Sequence, residues 1–199
     1  GAGAPPTFET PTVGDITSVV AGTGLSGGGT SGDVTLNSDL LAKQEGTNFT
    51  NSILIGSVST GTLNDAGRNT GGGIGAFNSL SSGDDNTVFG YRAGTSITEN
   101  AQSTLFGSDA GKDLTGTALG NTAIGYNSLQ NLASSGNFNI GLGHNAGGNL
   151  SSGGGNIIIG KADFDSATGS RQLKIAGNDG STTTTWISGD SSGNLVTPG

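Results

Sequence analysis

The chain has 199 residues, 40 of them glycine and 4 proline, so the two together reach about 22 % against a usual ~12 %. Hydrophobic residues make up 31 %, aromatics 5 % and charged residues 11 %, which is too little core material for an ordinary enzyme and too little charge for a solvated, disordered chain. The net charge of −8 repels phosphates and anionic membrane surfaces, which argues against a nucleic-acid partner, and no apolar run of about 18 residues exists to insert into a membrane.

Residues 1–12, with Pro5, Pro6 and Pro11, read as an extended Pro/Gly-rich arm. They carry neither the basic nor the apolar region of a signal peptide, and the chain contains no methionine, so a processed product or a fragment of something longer is expected. Residues 13–47 follow as a β-structured attachment or shaft segment. They read as two short strands, at 16–21 and 33–37, joined by a Gly/Ser/Thr turn region. Residues 14–36, centred on Gly22-Thr23-Gly24-Leu25-Ser26-Gly27-Gly28-Gly29, resemble a segment common in bacteriophage tail-fibre proteins, where it precedes fibrous trimeric domains.

A repeat organises residues 48–165. Asn51-Ser52-Ile53-Leu54-Ile55-Gly56, Gly71-Gly72-Gly73-Ile74-Gly75, Asn86-Thr87-Val88-Phe89-Gly90 and Ser103-Thr104-Leu105-Phe106-Gly107 share one pattern. Asn121-Thr122-Ala123-Ile124-Gly125, Asn139-Ile140-Gly141-Leu142-Gly143 and Asn156-Ile157-Ile158-Ile159-Gly160 continue it. The repeat glycines Gly56, Gly75, Gly90, Gly107, Gly125, Gly143 and Gly160 are spaced 19, 15, 17, 18, 18 and 17 residues apart. A period of about 17 is too short for helix pairs, which repeat every 33–47 residues or so, and fits one coil of a β-solenoid: a short strand, a corner, a second, more polar strand or loop, and a return.

The residue before each repeat glycine is apolar throughout, which marks Ile55, Ile74, Phe89, Phe106, Ile124, Leu142 and Ile159 as the structural core row. Asparagine recurs four residues before the glycine as Asn86, Asn121, Asn139 and Asn156. That recurrence fits either a ladder of amides bonded from coil to coil or an Asn-rich turn with solvated side chains. Runs such as Ile53-Leu54-Ile55 and Ile157-Ile158-Ile159 bury both faces of a strand, one toward the coil interior and the other toward a partner chain or a loop of the same chain. Coils so rich in glycine bury little side-chain area by themselves, so a partner chain is expected. The run Gly71-Gly72-Gly73 leaves one coil without an evident strand.

Thr122-Ala123-Ile124-Gly125-Tyr126-Asn127-Ser128-Leu129 and, more loosely, Thr87-Val88-Phe89-Gly90-Tyr91-Arg92-Ala93-Gly94 resemble the head repeats of YadA-like trimeric autotransporter adhesins. The resemblance covers about residues 50–165 and implies a left-handed β-roll assembled as a homotrimer. The coils here vary from 15 to 19 residues, a departure that implies loops on one face. Residues 166–199 form a C-terminal hairpin module that turns at Asn178-Asp179-Gly180, with Trp186 on its second strand. It resembles the region that follows such repeats in phage fibres.

Chemical motifs carry little. Gly22-Thr23-Gly24-Leu25-Ser26-Gly27 matches a dinucleotide fingerprint, but more glycine follows it instead of a helix. Gly189-Asp190-Ser191-Ser192-Gly193 matches the serine elbow of hydrolases but reads as a turn, and His144 is the one histidine that could serve it as base. No cysteine is present for a disulfide, thiolate or zinc site, and the aspartates lack the spacing of calcium-binding rolls. Thr87, Thr104 and Thr122 hint at an ice-binding column that Ile53, Gly72, Ile140 and Ile157 interrupt. The column after the repeat glycine contains Tyr91, Tyr126 and His144, which are either an ordinary exposed row or a receptor-contact row able to stack on sugars.

The expectation is therefore an all-β, fibrous homotrimer: a β-solenoid of about seven short coils flanked by small β-hairpin segments, with no enzymatic activity and no cofactor. The resemblance implies a structural and adhesive protein of a bacteriophage virion. It would join other virion proteins through its N-terminal segment and meet a host-surface polysaccharide or protein. The alternative is a passenger fragment of a bacterial trimeric autotransporter adhesin at the cell surface. An ice-binding solenoid and a polysaccharide depolymerase spike rank below both.

Overall fold

Short β-branched runs closed by glycine can form only short strands before the chain must turn, and stacking those strands gives each the hydrogen-bond partners it lacks alone. A computed structural model describes residues 19–20, 25–29, 35–38, 42–57, 59–133 and 135–197, which hold fifteen strands and no helix. The chain divides into two units, Gly1–Leu40 and Leu41–Gly199. In the first, β1 (Val19–Val20), β2 (Leu25–Gly29) and β3 (Leu36–Ser38) make an antiparallel sheet with β2 in the middle. The Gly/Ser/Thr stretch expected to be a turn is thus itself a strand, since a sheet recruits backbone groups and glycine supplies them as well as any residue. The arm at 1–12 and the glycines of the fingerprint at Gly22 and Gly24 lie outside the described residues.

The second unit is a β-solenoid of about seven turns built on one sheet. β4 (Ala42–Gly46) pairs antiparallel with β5 (Phe49–Ile55), and β6 (Ala66–Gly67) lies along the start of β5. From β5 the stack continues, every pair parallel, through β7 (Thr70–Gly72), β8 (Thr87–Phe89), β9 (Thr104–Phe106), β10 (Thr122–Ile124), β11 (Ile140–Leu142) and β12 (Ile157–Ile159). β13 (Leu173–Asn178) joins parallel to β12 and turns back antiparallel into β14 (Thr183–Gly189), which β15 (Leu195–Val196) edges.

The register corrects the sequence reading in two places. Gly72 pairs with Ile55 on one side and Phe89 on the other, so Thr70 and the first two glycines of the run form the strand that the sequence does not show. The repeat glycine of that coil is therefore Gly73, not Gly75. The spacing from Gly56 through Gly73, Gly90, Gly107, Gly125, Gly143 and Gly160 then becomes 17, 17, 17, 18, 18 and 17, and the apparent 15-to-19 variation disappears. At Gly107 the requirement for glycine is plain: φ is +139°, and a Cβ would lie 2.5 Å from the Gly125 carbonyl oxygen of the next coil.

The second correction concerns the core row. Ile55, Ile74, Phe106, Ile124 and Ile159 are 40 %, 68 %, 58 %, 42 % and 40 % exposed, and Phe89 and Leu142 are half-buried. Strand residues alternate faces, and the inward row is the one before: Leu54, Gly71, Val88, Leu105, Ala123, Gly141 and Ile158. Opposite it runs no second strand but a wall of consecutive turns, which contributes buried Ala76, Ala93, Ala110, Ser128 and Ala146, then Leu80, Ile97, Leu114, Leu132 and Leu150.

The interior is so narrow that the two walls share one space. The turn wall has a column in which every residue takes positive φ: Phe77, Gly94, Gly111, Leu129 and Gly147. Where the strand offers Gly71, Phe77 fills the gap; where it offers Leu105, Gly111 makes room; where it offers Gly141, the Leu129 side chain of the turn before it fills the space. Phe77 and Leu129 hold φ of +56° and +48°, which costs about 1–2 kcal/mol for residues with a Cβ and is offset by core filling. Leu129→Gly is accordingly expected to lower the unfolding free energy by about 3 kcal/mol in chemical denaturation. Adding Ala123→Leu, which recreates the Leu105–Gly111 arrangement of the preceding coil, should recover most of that loss. A double variant no more stable than the single one would show that the walls do not share the space.

Candidate functional site

Before each ladder position the backbone turns through positive φ, at Arg68, Asp85, Gln102, Phe138 and Arg171 among others, and this turn swings the next side chain inward. Asn69, Asn86, Asn121, Asn139 and Asn156 are buried there as a coil-to-coil ladder. Asn139 Nδ2 donates to Asn121 Oδ1 at 3.1 Å and to the Gly153 carbonyl at 3.0 Å, while its own Oδ1 accepts from the Asn156 backbone N–H at 3.0 Å and from Asn156 Nδ2 at 2.9 Å. Ser52 Oγ and Gln172 terminate the ladder. Asn69 escaped the sequence reading because the glycine run hid its register.

The ladder breaks once. Ser103 occupies an asparagine position, and its buried Oγ has no hydrogen-bond partner. Three residues before each ladder asparagine the chain carries Ala66, Gly83, Ala118, Gly136 or Gly153, but before Ser103 it carries the buried Asn100. A Cβ at Gly83 would sit 3.3 Å from Asn86 Nδ2, so a large residue there and an asparagine in the ladder compete for one place. Exchanging the two, Asn100→Gly with Ser103→Asn, is expected to raise stability by about 1–2 kcal/mol in thermal or denaturant melting. Ser103→Asn alone should lower it.

The outward face of the sheet is the most extensive candidate surface. Ile55, Gly72, Phe89, Phe106, Ile124, Leu142, Ile159 and Ile175 follow one another strand by strand, apolar side chains interrupted by one glycine, with Ile187 beside Ile175 on the hairpin. At ~4.8 Å per strand the strip is roughly 40 Å long. Two of its aromatic rings lie over glycine. A Cβ on Gly72 would come within 2.7 Å of the Phe89 ring, and one on Gly177 within 2.5 Å of Trp186. Trp186 stands at the bulge where the β13–β14 register slips between Ile175 and Ala176, and the bulge aims the only tryptophan onto this face, 57 % exposed. Phe89 and Phe106 lie 6.0 Å apart between centroids. Thr70 joins Thr87, Thr104 and Thr122 in the neighbouring outward column, beside this apolar row.

The edge column that follows the repeat glycines is Ser57, Ile74, Tyr91, Ser108, Tyr126, His144 and Lys161. The structure does not gather the three residues singled out from sequence. Tyr126 and His144 stack at 5.2 Å, but Ser108 separates them from Tyr91, which instead lies against the Arg92 guanidinium at 5.1 Å. Charge is spent coil to coil: Arg92 bonds Asp109 at 2.8 Å, and Arg68 bonds Asp85 through both carboxylate oxygens. The Arg68 hydrogen bond and charge hold Asp85 below the usual carboxylate range and push Arg68 up.

The serine-elbow motif forms the β14–β15 turn. Asp190 Oδ1 accepts from the backbone N–H groups of Ser192 and Asn194 at 2.9 and 3.0 Å, and its Oδ2 accepts from Asn194 Nδ2, which together keep the carboxyl below its ordinary range. The same arrangement recurs at Asp179, held low by the backbone N–H groups of Thr182 and Ser181. Among the described residues no group of three or more His, Cys, Asp or Glu could hold a metal ion, and no helix is long and apolar enough to cross a membrane. No protein-family model, curated protein or solved structure matches the chain.

Proposed function

We propose that the chain is a structural and adhesive fibre protein of a bacteriophage or related virion. Three copies press their apolar sheet faces together into a stiff rod that carries an attachment surface toward the host. The observation that carries this reading is the apolar strip from Ile55 to Ile187. Its length and its aromatic rings make it far larger than the scattered exposed hydrophobics of a monomer, and a second and third copy of the same strip are the occupants whose chemistry and length match it. The likeness of residues 14–36 to tail-fibre segments supports the virion setting.

Sedimentation of the purified protein at three times the chain mass of 19.3 kDa, together with binding of the labelled protein to bacterial cells, is the expected result. A folded monomer at tens of micromolar would overturn the assembly. A second reading, the passenger part of a bacterial surface adhesin, draws on the Thr122 to Leu129 repeat. Finding the parent gene to encode a membrane-anchoring barrel would decide for it.

A further inference from the structure

We infer that a polar cleft at the C-terminal end of the solenoid binds an acidic sugar unit of a surface polysaccharide; this rests on the reading of the chain as an attachment protein and names what the attachment recognises. The cleft, about 310 Å³, is walled by Asn145, Lys161 and Asp163 from the coil corners and by Lys174, Thr183 and Thr185 from the hairpin. That volume is at the lower end of small-molecule sites, which run from ~300 to 1,000 Å³, and suits one or two sugar rings. Lys174 alternates with Leu173 and Ile175 along β13, and its Nζ reaches back to the Asp163 carbonyl at 3.0 Å. The cleft therefore opens on the side of the sheet away from the apolar strip, and a ligand there does not compete with self-association.

The lining supplies what a saccharide needs: hydroxyls from Thr183 and Thr185, the Asp163 carboxylate and an asparagine amide. Two of its groups are unspent. Lys174 is neutralised by Asp165, whereas Lys161 has no carboxylate within 4.0 Å among the described residues. Asn145 Oδ1 has no hydrogen-bond partner, and its soft terminal torsion lets the amide turn toward a ligand hydroxyl. The unpaired ammonium asks for a carboxylate or a similar anion on the sugar. Beside it, one and two coils below in the same column, the stacked rings of His144 and Tyr126 form an exposed ledge on which the next sugar of the chain can lie.

The test is calorimetry or ligand-observed NMR with the assembled protein and four probes: a galacturonic acid trimer, a hyaluronan tetrasaccharide, a sialic acid trimer and a neutral galactose trimer. At least one acidic probe is expected to bind at millimolar concentration or better and to weaken with salt, with the neutral trimer about ten-fold weaker. Lys161→Ala should reduce the acidic affinity about ten-fold, and Thr185→Val several-fold, with sedimentation unchanged. If none of the acidic probes binds, or Lys161→Ala binds them as the parent does, the cleft inference falls. If the protein still attaches to cells in that event, the attachment reading stands without it. Binding of an acidic probe by a protein that attaches to no cell leaves the cleft and removes the attachment reading.

Discussion

Replacing Asn139 with alanine is expected to lower the unfolding free energy by about 3 kcal/mol, because it strands one buried and one part-buried backbone group, at about 1–3 kcal/mol for the buried one, and removes the packing of the side chain between them. The stranded groups can be named. The Asn156 backbone N–H loses Asn139 Oδ1, and the Gly153 carbonyl loses Asn139 Nδ2. Asn156 Nδ2 keeps the Gly169 carbonyl, and Asn121 Oδ1 keeps the Asn139 backbone N–H, so the damage stays between two coils. A solenoid is stable only through its nearest-neighbour interfaces, so a lesion confined to one interface acts on the whole unit once it exceeds that interface's share. Guanidinium melts of the two proteins measure the difference. A loss below about 1 kcal/mol would mean that water reaches the ladder and the amides are not the glue. Asn139→Asp sharpens the test: the carboxylate still accepts from Asn156 but cannot donate to Gly153 and places a charge in the interior, so it should be at least as damaging.

The period and the all-β class were legible in the sequence because the repeat glycine is required by close backbone approach, as at Gly107, and cannot be replaced without a clash. The inward face was not legible. Both outward and inward rows of strands such as Ile157–Ile159 are apolar, so hydrophobicity cannot tell them apart. The distinguishing signal is size compensation with a column six residues on, Gly71 with Phe77 and Leu105 with Gly111, and it becomes visible only once the register is right. The glycine run defeated the register for the same reason: a strand whose side chains are supplied by its neighbours, Phe77 inside and Phe89 outside, has no hydrophobic pattern of its own. The cleft was hidden by distance along the chain. Lys161 stands in the column of His144, but Thr183 and Thr185 reach it through the hairpin, and nothing in their local sequence announces that.

The second large effect concerns assembly, and Phe106→Asp isolates it. In the single chain Phe106 is 58 % exposed, with the tilted Phe89 ring beside it, so the substitution should change the stability of the isolated coil by no more than about 0.5–1 kcal/mol. In a trimer built on the sheet face, three carboxylates would be taken out of water near the threefold axis with no cation on that row to pair with them, at several kcal/mol each. The expected outcome is sedimentation as one chain instead of three with an unchanged far-ultraviolet dichroism spectrum. Trp186 offers a second readout, because the bulge and Gly177 fix it on the same face: its emission should move to longer wavelength as the ring becomes wet on dissociation. Asn78→Asp, which adds the same charge on the turn wall, serves as control and should leave both signals as they were. Should Phe106→Asp remain associated as firmly as the parent, the copies must meet elsewhere, and the apolar strip would need another occupant.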